Sequence, residues 1–163
     1  MKRTLALVLA CFCLAACGRA QPEPEVLLPD AAWEELAERA AALLLPEGAQ
    51  TQPMTAETAA LLLDVPTGSI ARAAGFAVLD YSTTAQLMLL EASGRDAQEL
   101  HRALEYRLEL LRQTAEAVGG AEHWQGFTLA EGRYAVLAVA DNSPQAAETA
   151  RQVQEMLLEA LAP

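Results

Sequence analysis

Residues 86–118 read QLMLLEASGRDAQELHRALEYRLELLRQTAEAV, and the change of period inside this stretch decides the fold. From Gln86 to Ala92 the chain is an apolar run with strand character. It does not alternate cleanly between apolar and polar, which leaves open a strand covered on both faces or no strand at all. Ser93-Gly94-Arg95-Asp96 breaks the run, and Asp96 followed by Glu99 resembles a capping box, in which the carboxylate accepts orphan backbone N–H groups. Beyond the break, Leu100, Leu104, Leu108, Leu111, Ala115 and Val118 recur at three- and four-residue spacing. Glu99, Arg102, Glu105, Glu109, Arg112 and Glu116 lie off that stripe. The pattern predicts a helix from Ala97 to Val118, about 33 Å long at 1.5 Å per residue, with Gly119-Gly120 as its left-handed stop.

Working outward, Gly75 to Leu79 forms a strand joined to Gln86–Ala92 through Asp80-Tyr81-Ser82-Thr83-Thr84, a polar connection of hairpin length. Phe127 to Ala130 and Tyr134 to Ala140 straddle Glu131-Gly132-Arg133, a second hairpin, with Tyr134, Val136 and Ala138 on one face and Leu137 and Val139 on the other. Ser143-Pro144 then supplies an N-cap and a proline at the first helical position. Ala146, Ala150, Val153, Leu157 and Leu161 form the stripe of a last helix. Two ββα units in succession predict an α+β fold, a four-stranded antiparallel sheet with helices mainly on one face. Ahead of them, Asp30 caps a helix carrying Trp33, Leu36, Ala37, Ala40, Leu43 and Leu44 that stops at Pro46 and Gly48. Thr55 opens a short helix through Leu63, closed by Val65-Pro66-Thr67-Gly68. These N-terminal helices extend the layer or cover an edge strand.

The first residues are an address. Lys2 and Arg3 precede an apolar run from Thr4 to Ala16, too short for the roughly 20 residues a spanning helix needs. Residues 1–16 therefore read as a signal peptide. The run ends in Leu14-Ala15-Ala16-Cys17, which resembles the lipobox of bacterial lipoproteins; the resemblance implies a lipid on the Cys17 thiol and cleavage just before it. Cys11 and Cys13 leave with the signal, so the mature chain has no disulfide, and its stability comes from packing. Two or three acyl chains anchor stably where one is marginal. Residues 17–29 are the lipidated Cys and a Pro/Glu-rich tether, whose twelve residues 18–29, in polyproline II at about 3.1 Å per residue, reach roughly 37 Å. Residues 30–163 are then a single α+β domain, within the size range of one globular unit.

Charge narrows the partners. The 163 residues hold 22 acids against 11 bases, a net −11. Without residues 1–16 the nine remaining bases are all Arg, and the charge is −13. A nucleic-acid partner is excluded, since phosphate backbones would be repelled. With no Lys left, no Schiff-base mechanism is open.

Residues 54–140 resemble a family of bacterial lipoproteins, the domain of unknown function numbered 4358. The resemblance rests on Ala85-Gln86-Leu87-Met88-Leu89-Leu90-Glu91-Ala92, on Leu104-Glu105-Tyr106-Arg107-Leu108-Glu109, and on Glu131-Gly132-Arg133-Tyr134-Ala135-Val136-Leu137. It implies an extracytoplasmic lipoprotein with an α+β domain and implies no reaction.

The residues offer no catalytic constellation. His101 sits on the flank of the long helix and His123 in the Gly119–Gly126 connection, each without a surrounding motif and each read as a solvated residue. No metal is expected: there is no His-Glu-x-x-His, no mature Cys pair and no calcium loop, and Asp141-Asn142-Ser143 is explained as a helix cap. Glu34/Glu35 and Glu105/Glu109 read as solvated faces. No cofactor is implied. Trp124 and Phe127 are candidate binding anchors beside the glycine-rich connection, or plugs at the end of the sheet core. The expectation is therefore a non-enzymatic binding or interaction module, lipid-anchored at the outer face of a bacterial plasma membrane, with an envelope partner of unknown identity. A small-ligand receptor associated with a transporter is the alternative, and a cell-surface hydrolase the remotest one.

Overall fold

Gln86–Ala92 and Tyr134–Val139 are neighbouring antiparallel strands in which every residue is buried. That explains the missing alternation: a strand covered on both faces has no polar side to display. The computed structural model describes residues 27–46, 48–78, 83–94 and 97–162. Leu14, Ala15, Ala16 and Cys17, the tether as far as Val26, Asp80, Tyr81, Ser82 and the expected cap Asp96 lie outside the described residues.

The elements are α1 (Asp30–Leu44), β1 (Thr51–Pro53), α2 (Ala56–Leu63), a 3-10 turn (Thr67–Ser69), β2 (Ile70–Val78), β3 (Gln86–Ala92), α3 (Gln98–Ala117), β4 (Gly126–Glu131), β5 (Tyr134–Val139) and α4 (Ala146–Leu161). The strands form one antiparallel sheet in the order β1-β2-β3-β5-β4. The α+β class and the two hairpins are as expected. The sheet has five strands rather than four, because Thr51-Gln52-Pro53 pairs with Val78-Ala77-Phe76. The helices cover both faces rather than mainly one. On the first face, Trp33, Leu36 and Leu44 of α1 and Val153 and Leu157 of α4 pack on Phe76, Leu87, Leu89, Val136 and Ala138. On the second, Ala59 and Leu63 of α2 and Leu100, Leu104 and Leu111 of α3 pack on Met88, Leu90, Leu137 and Val139. With β3 and β5 apolar on both sides, a single helical layer would leave half of that surface in water, at about 25 cal/mol per Å².

The two hairpins are not a symmetric pair. Since β3 runs antiparallel to β5, a two-fold axis exchanging the hairpins would stand perpendicular to the sheet and leave α3 and α4 on one face. They lie on opposite faces.

Three expected end signals act differently. Asp30 is the first residue of α1 rather than its cap, and its carboxylate takes Arg72 at 2.6 Å. Ser143 and Pro144 precede the start of α4, whose cap position is Gln145; the Ser143 carbonyl accepts the Ala146 N–H at 3.0 Å. Leu43 and Val118 face solvent: Leu43 lies beside the packed stripe Trp33, Leu36, Ala37, Ala40 and Leu44, and Val118 lies past the last buried residue of its own, Ala115. Thr55 does cap α2, accepting the Thr58 N–H at 3.2 Å. Gly75 is obligatory within β2: at φ +122°, a Cβ would lie 2.1 Å from the Leu87 carbonyl oxygen.

Candidate functional site

At one end of the sheet the entering chain is locked to the core. Glu91, its side chain only 7% exposed, receives Arg72 at 2.7 Å and Arg133 at 3.1 Å. Arg72 also donates to Asp30 and, at 3.0 Å, to the Leu28 carbonyl, and its guanidinium lies 4.4 Å from the Trp33 ring centroid. Arg133 donates twice to the Ala92 carbonyl, at 3.2 and 2.9 Å. Tyr134 meets Trp33 with ring centroids 5.6 Å apart, and its hydroxyl accepts the Leu28 N–H at 2.8 Å. A buried carboxylate is tolerable only when paired and hydrogen-bonded, and here two cations meet two anions. A cavity of about 570 Å³ adjoins this cluster, but its one cation, Arg72, is fully engaged, and Glu34 and Glu38 add negative charge to the rim. The arrangement is a structural clasp on Leu28–Asp30.

The other end is different. A groove of about 500 Å³ runs between α2 and α3 over the ends of β2 and β3. One wall is a single helical stripe, Arg107, Leu111, Thr114, Ala115 and Val118, with Leu61 and Leu62 of α2 opposite. Ala77, Val78, Ala85 and Gln86 form the floor, while Thr83, Thr84 and Asn142 close one end. The lining contains no carboxylate among the described residues, although acids outnumber bases two to one in the chain. Two large apolar side chains at its mouth stand open to solvent, Leu61 at 83% exposure and Val118 at 68%.

Arg107 sets the chemistry of the groove. Its Nε donates to Oε1 of Gln86 at 3.3 Å, and Gln86 is 2% exposed. Burial pushes the guanidinium down from its ordinary pKa, yet arginine keeps its proton at any physiological pH. Among the described residues no acidic side chain pairs with Arg107. Arg72, Arg112, Arg133 and Arg151 all have carboxylate partners. The groove thus combines an apolar body with one half-buried cation holding a free two-pronged donor face, an arrangement suited to binding an anion.

The expected anchors Trp124 and Phe127 are not brought together. Trp124 is half-buried on the α3 side, where its Nε1 donates to Thr84 Oγ1 at 2.9 Å, which places it behind the groove. Phe127 packs on the opposite face with the α1/α4 core. Both are partly buried, each packed against one of the two cores. His101 Nε2 lies 3.1 Å from Thr128 Oγ1, and the His123 backbone N–H donates to Asn142 Oδ1 at 2.8 Å. Among the described residues no group of three potential metal ligands occurs, and no helix is long and apolar enough to cross a membrane.

Arg107 and Glu91 were the residues missed. The signal for Arg107 was its position: three residues after Leu104 and four before Leu111, it stands on the apolar stripe where a charged side chain is anomalous. Glu91 is likewise a lone acid in the run Leu87–Ala92. No protein-family model, no curated protein and no solved structure matches this chain.

Proposed function

We propose that this chain is a non-catalytic binding module of a bacterial cell envelope, held at the outer face of the plasma membrane by lipid on Cys17. The observation that carries the binding half is the groove with its unpaired, half-buried Arg107. Its polar side chains among the described residues are Arg107, Gln52, Gln86, Asn142 and threonines, none of which titrates near neutral pH to serve as a general base. The apolar run ending in Leu14-Ala15-Ala16-Cys17 supports the anchor, as does the resemblance of residues 54–140 to a lipoprotein family. The chain enters at Leu28–Asp30 beside Glu91, whereas the groove lies at Gln86, five residues along β3 or about 17 Å away. The chain entering at Leu28 therefore does not cover the groove.

One observation favours a second reading, a small-ligand receptor serving a transporter: about 500 Å³ falls within the roughly 300–1,000 Å³ of small-molecule sites. The anchor is tested by the intact mass of the chain recovered from membranes. A chain beginning at Cys17 with a diacylglyceryl group is expected, and Cys17→Ser should leave the precursor uncleaved and unlabelled by fatty acid. A cleaved, lipid-free product would overturn the anchor. Recovery of the intact lipoprotein with no envelope partner and no bound solute, under conditions that preserve other envelope complexes, would overturn the binding role.

A further inference from the structure

We infer that the groove takes a small soluble monocarboxylate with a linear apolar body, its carboxylate on Arg107. The inference rests on the binding-module reading and names its ligand class. Charge sets the head group. A cationic ligand would find no carboxylate among the described lining residues and one repelling guanidinium. A phosphate dianion would meet a single cation among the described lining residues, and no Lys. A carboxylate matches one guanidinium, whose planar fork donates to both of its oxygens. Gln86 holds Nε at 3.3 Å, so the fork is oriented before the ligand arrives and the Nη groups remain for it.

Shape sets the body. From Arg107 the wall continues through Leu111, Ala115 and Val118, which spans eleven residues of helix, or about 16 Å. An apolar chain lying along that stripe removes Leu61 and Val118, at 83% and 68% exposure, from water. Position leaves the groove accessible: it lies at the opposite end of β3 from the clasp on Leu28, so the entering chain does not cover it and a solute can reach it.

The test uses the full lipid-anchored chain in nanodiscs, with empty nanodiscs as blank, titrated with hexanoate, hexylamine, hexyl phosphate and hexanol while backbone amide shifts are followed. Hexanoate is expected to shift Leu111, Ala115 and Thr84 saturably. Arg107→Gln should weaken it about ten- to a hundredfold, the range for losing a hydrogen-bonded charge pair. Arg107→Lys should restore part of the affinity, and Arg102→Gln, exposed on the same helix, should leave it unchanged. Circular dichroism of each variant establishes that the fold is retained. Equal binding of hexanol or hexylamine, tighter binding of hexyl phosphate, or an Arg107→Gln variant that binds as the native chain does would each overturn the inference. If the four probes fail while another solute or an envelope protein shifts the same amides, the ligand class is wrong and the binding role stands. If nothing moves them, the binding role falls as well.

Discussion

Glu91 shows how much one side chain decides. It sits within an apolar strand, and without Arg72 and Arg133 it would be an unpaired buried charge. Removing one partner of a buried pair costs about 3–5 kcal/mol; both arginines are partly exposed and keep carbonyl acceptors, so Glu91→Gln should cost about 2–3 kcal/mol. Urea unfolding should show a lower midpoint with an unchanged slope. A midpoint within error of the native chain would mean that the clasp contributes nothing. Gly75→Ala tests backbone geometry in the same way. Its Cβ would meet the Leu87 carbonyl oxygen at 2.1 Å, so we expect a loss of at least about 2 kcal/mol, against about 0.5 or less for Gly68→Ala, where nothing lies within 4 Å. At this scale the sequence was only partly readable. The anomaly of Arg107 and Glu91 was visible in their periods, but their partners came from distant elements, twenty-one residues away for Gln86 and Arg107 and nineteen for Arg72 and Glu91.

Among the elements, the long amphipathic ones were legible because their stripes are local. The Ala146, Ala150, Val153, Leu157 and Leu161 stripe of α4 is buried as its spacing predicts, and β3 runs from Gln86 to Ala92 as read. Strand β1 was not legible: Thr51-Gln52-Pro53 carries no apolar pattern, all three residues are exposed, and its position follows from pairing with β2. An edge is where a strand tolerates proline. The two-sided cover of the sheet was hidden for the converse reason, since an uninterrupted apolar run does not say which helices face it. Helices α3 and α4 share an exposed pattern, Glu-x-x-Arg-Gln-x-x-Glu, at Glu109–Glu116 and Glu148–Glu155. Hydrogen bonds from Arg112 and Gln113 hold the Glu109 carboxyl down at about 2, and those from Arg151 and Gln152 hold Glu148 down to about 2. A carboxyl depressed in the folded state stabilises it above its unfolded value near 4.3 and loses that contribution as pH falls through about 2. Carbon-detected NMR titration should place both midpoints near 2, and Arg112→Gln should return Glu109 to the ordinary range. A native Glu109 midpoint near 4.3 would show that the pair does not form in solution.

The whole molecule has two unlike ends. At one, cations and carboxylates are matched and the entering chain is clasped; at the other, a single cation stands unpaired in an apolar groove free of described acids. The net −11 of the full sequence gives that contrast its meaning: on so acidic a surface, a patch around one arginine with no acid among its described residues offers an anion local attraction. Whether that groove is the working end is tested most directly by titrating the anchored chain with hexanoate and reading the fluorescence of Trp124, whose Nε1 bonds Thr84 at the groove's end. The native chain should give a saturable change whose midpoint moves to at least about tenfold higher concentration in Arg107→Gln. A Trp124 signal that does not respond, or that responds identically in the variant, would contradict it.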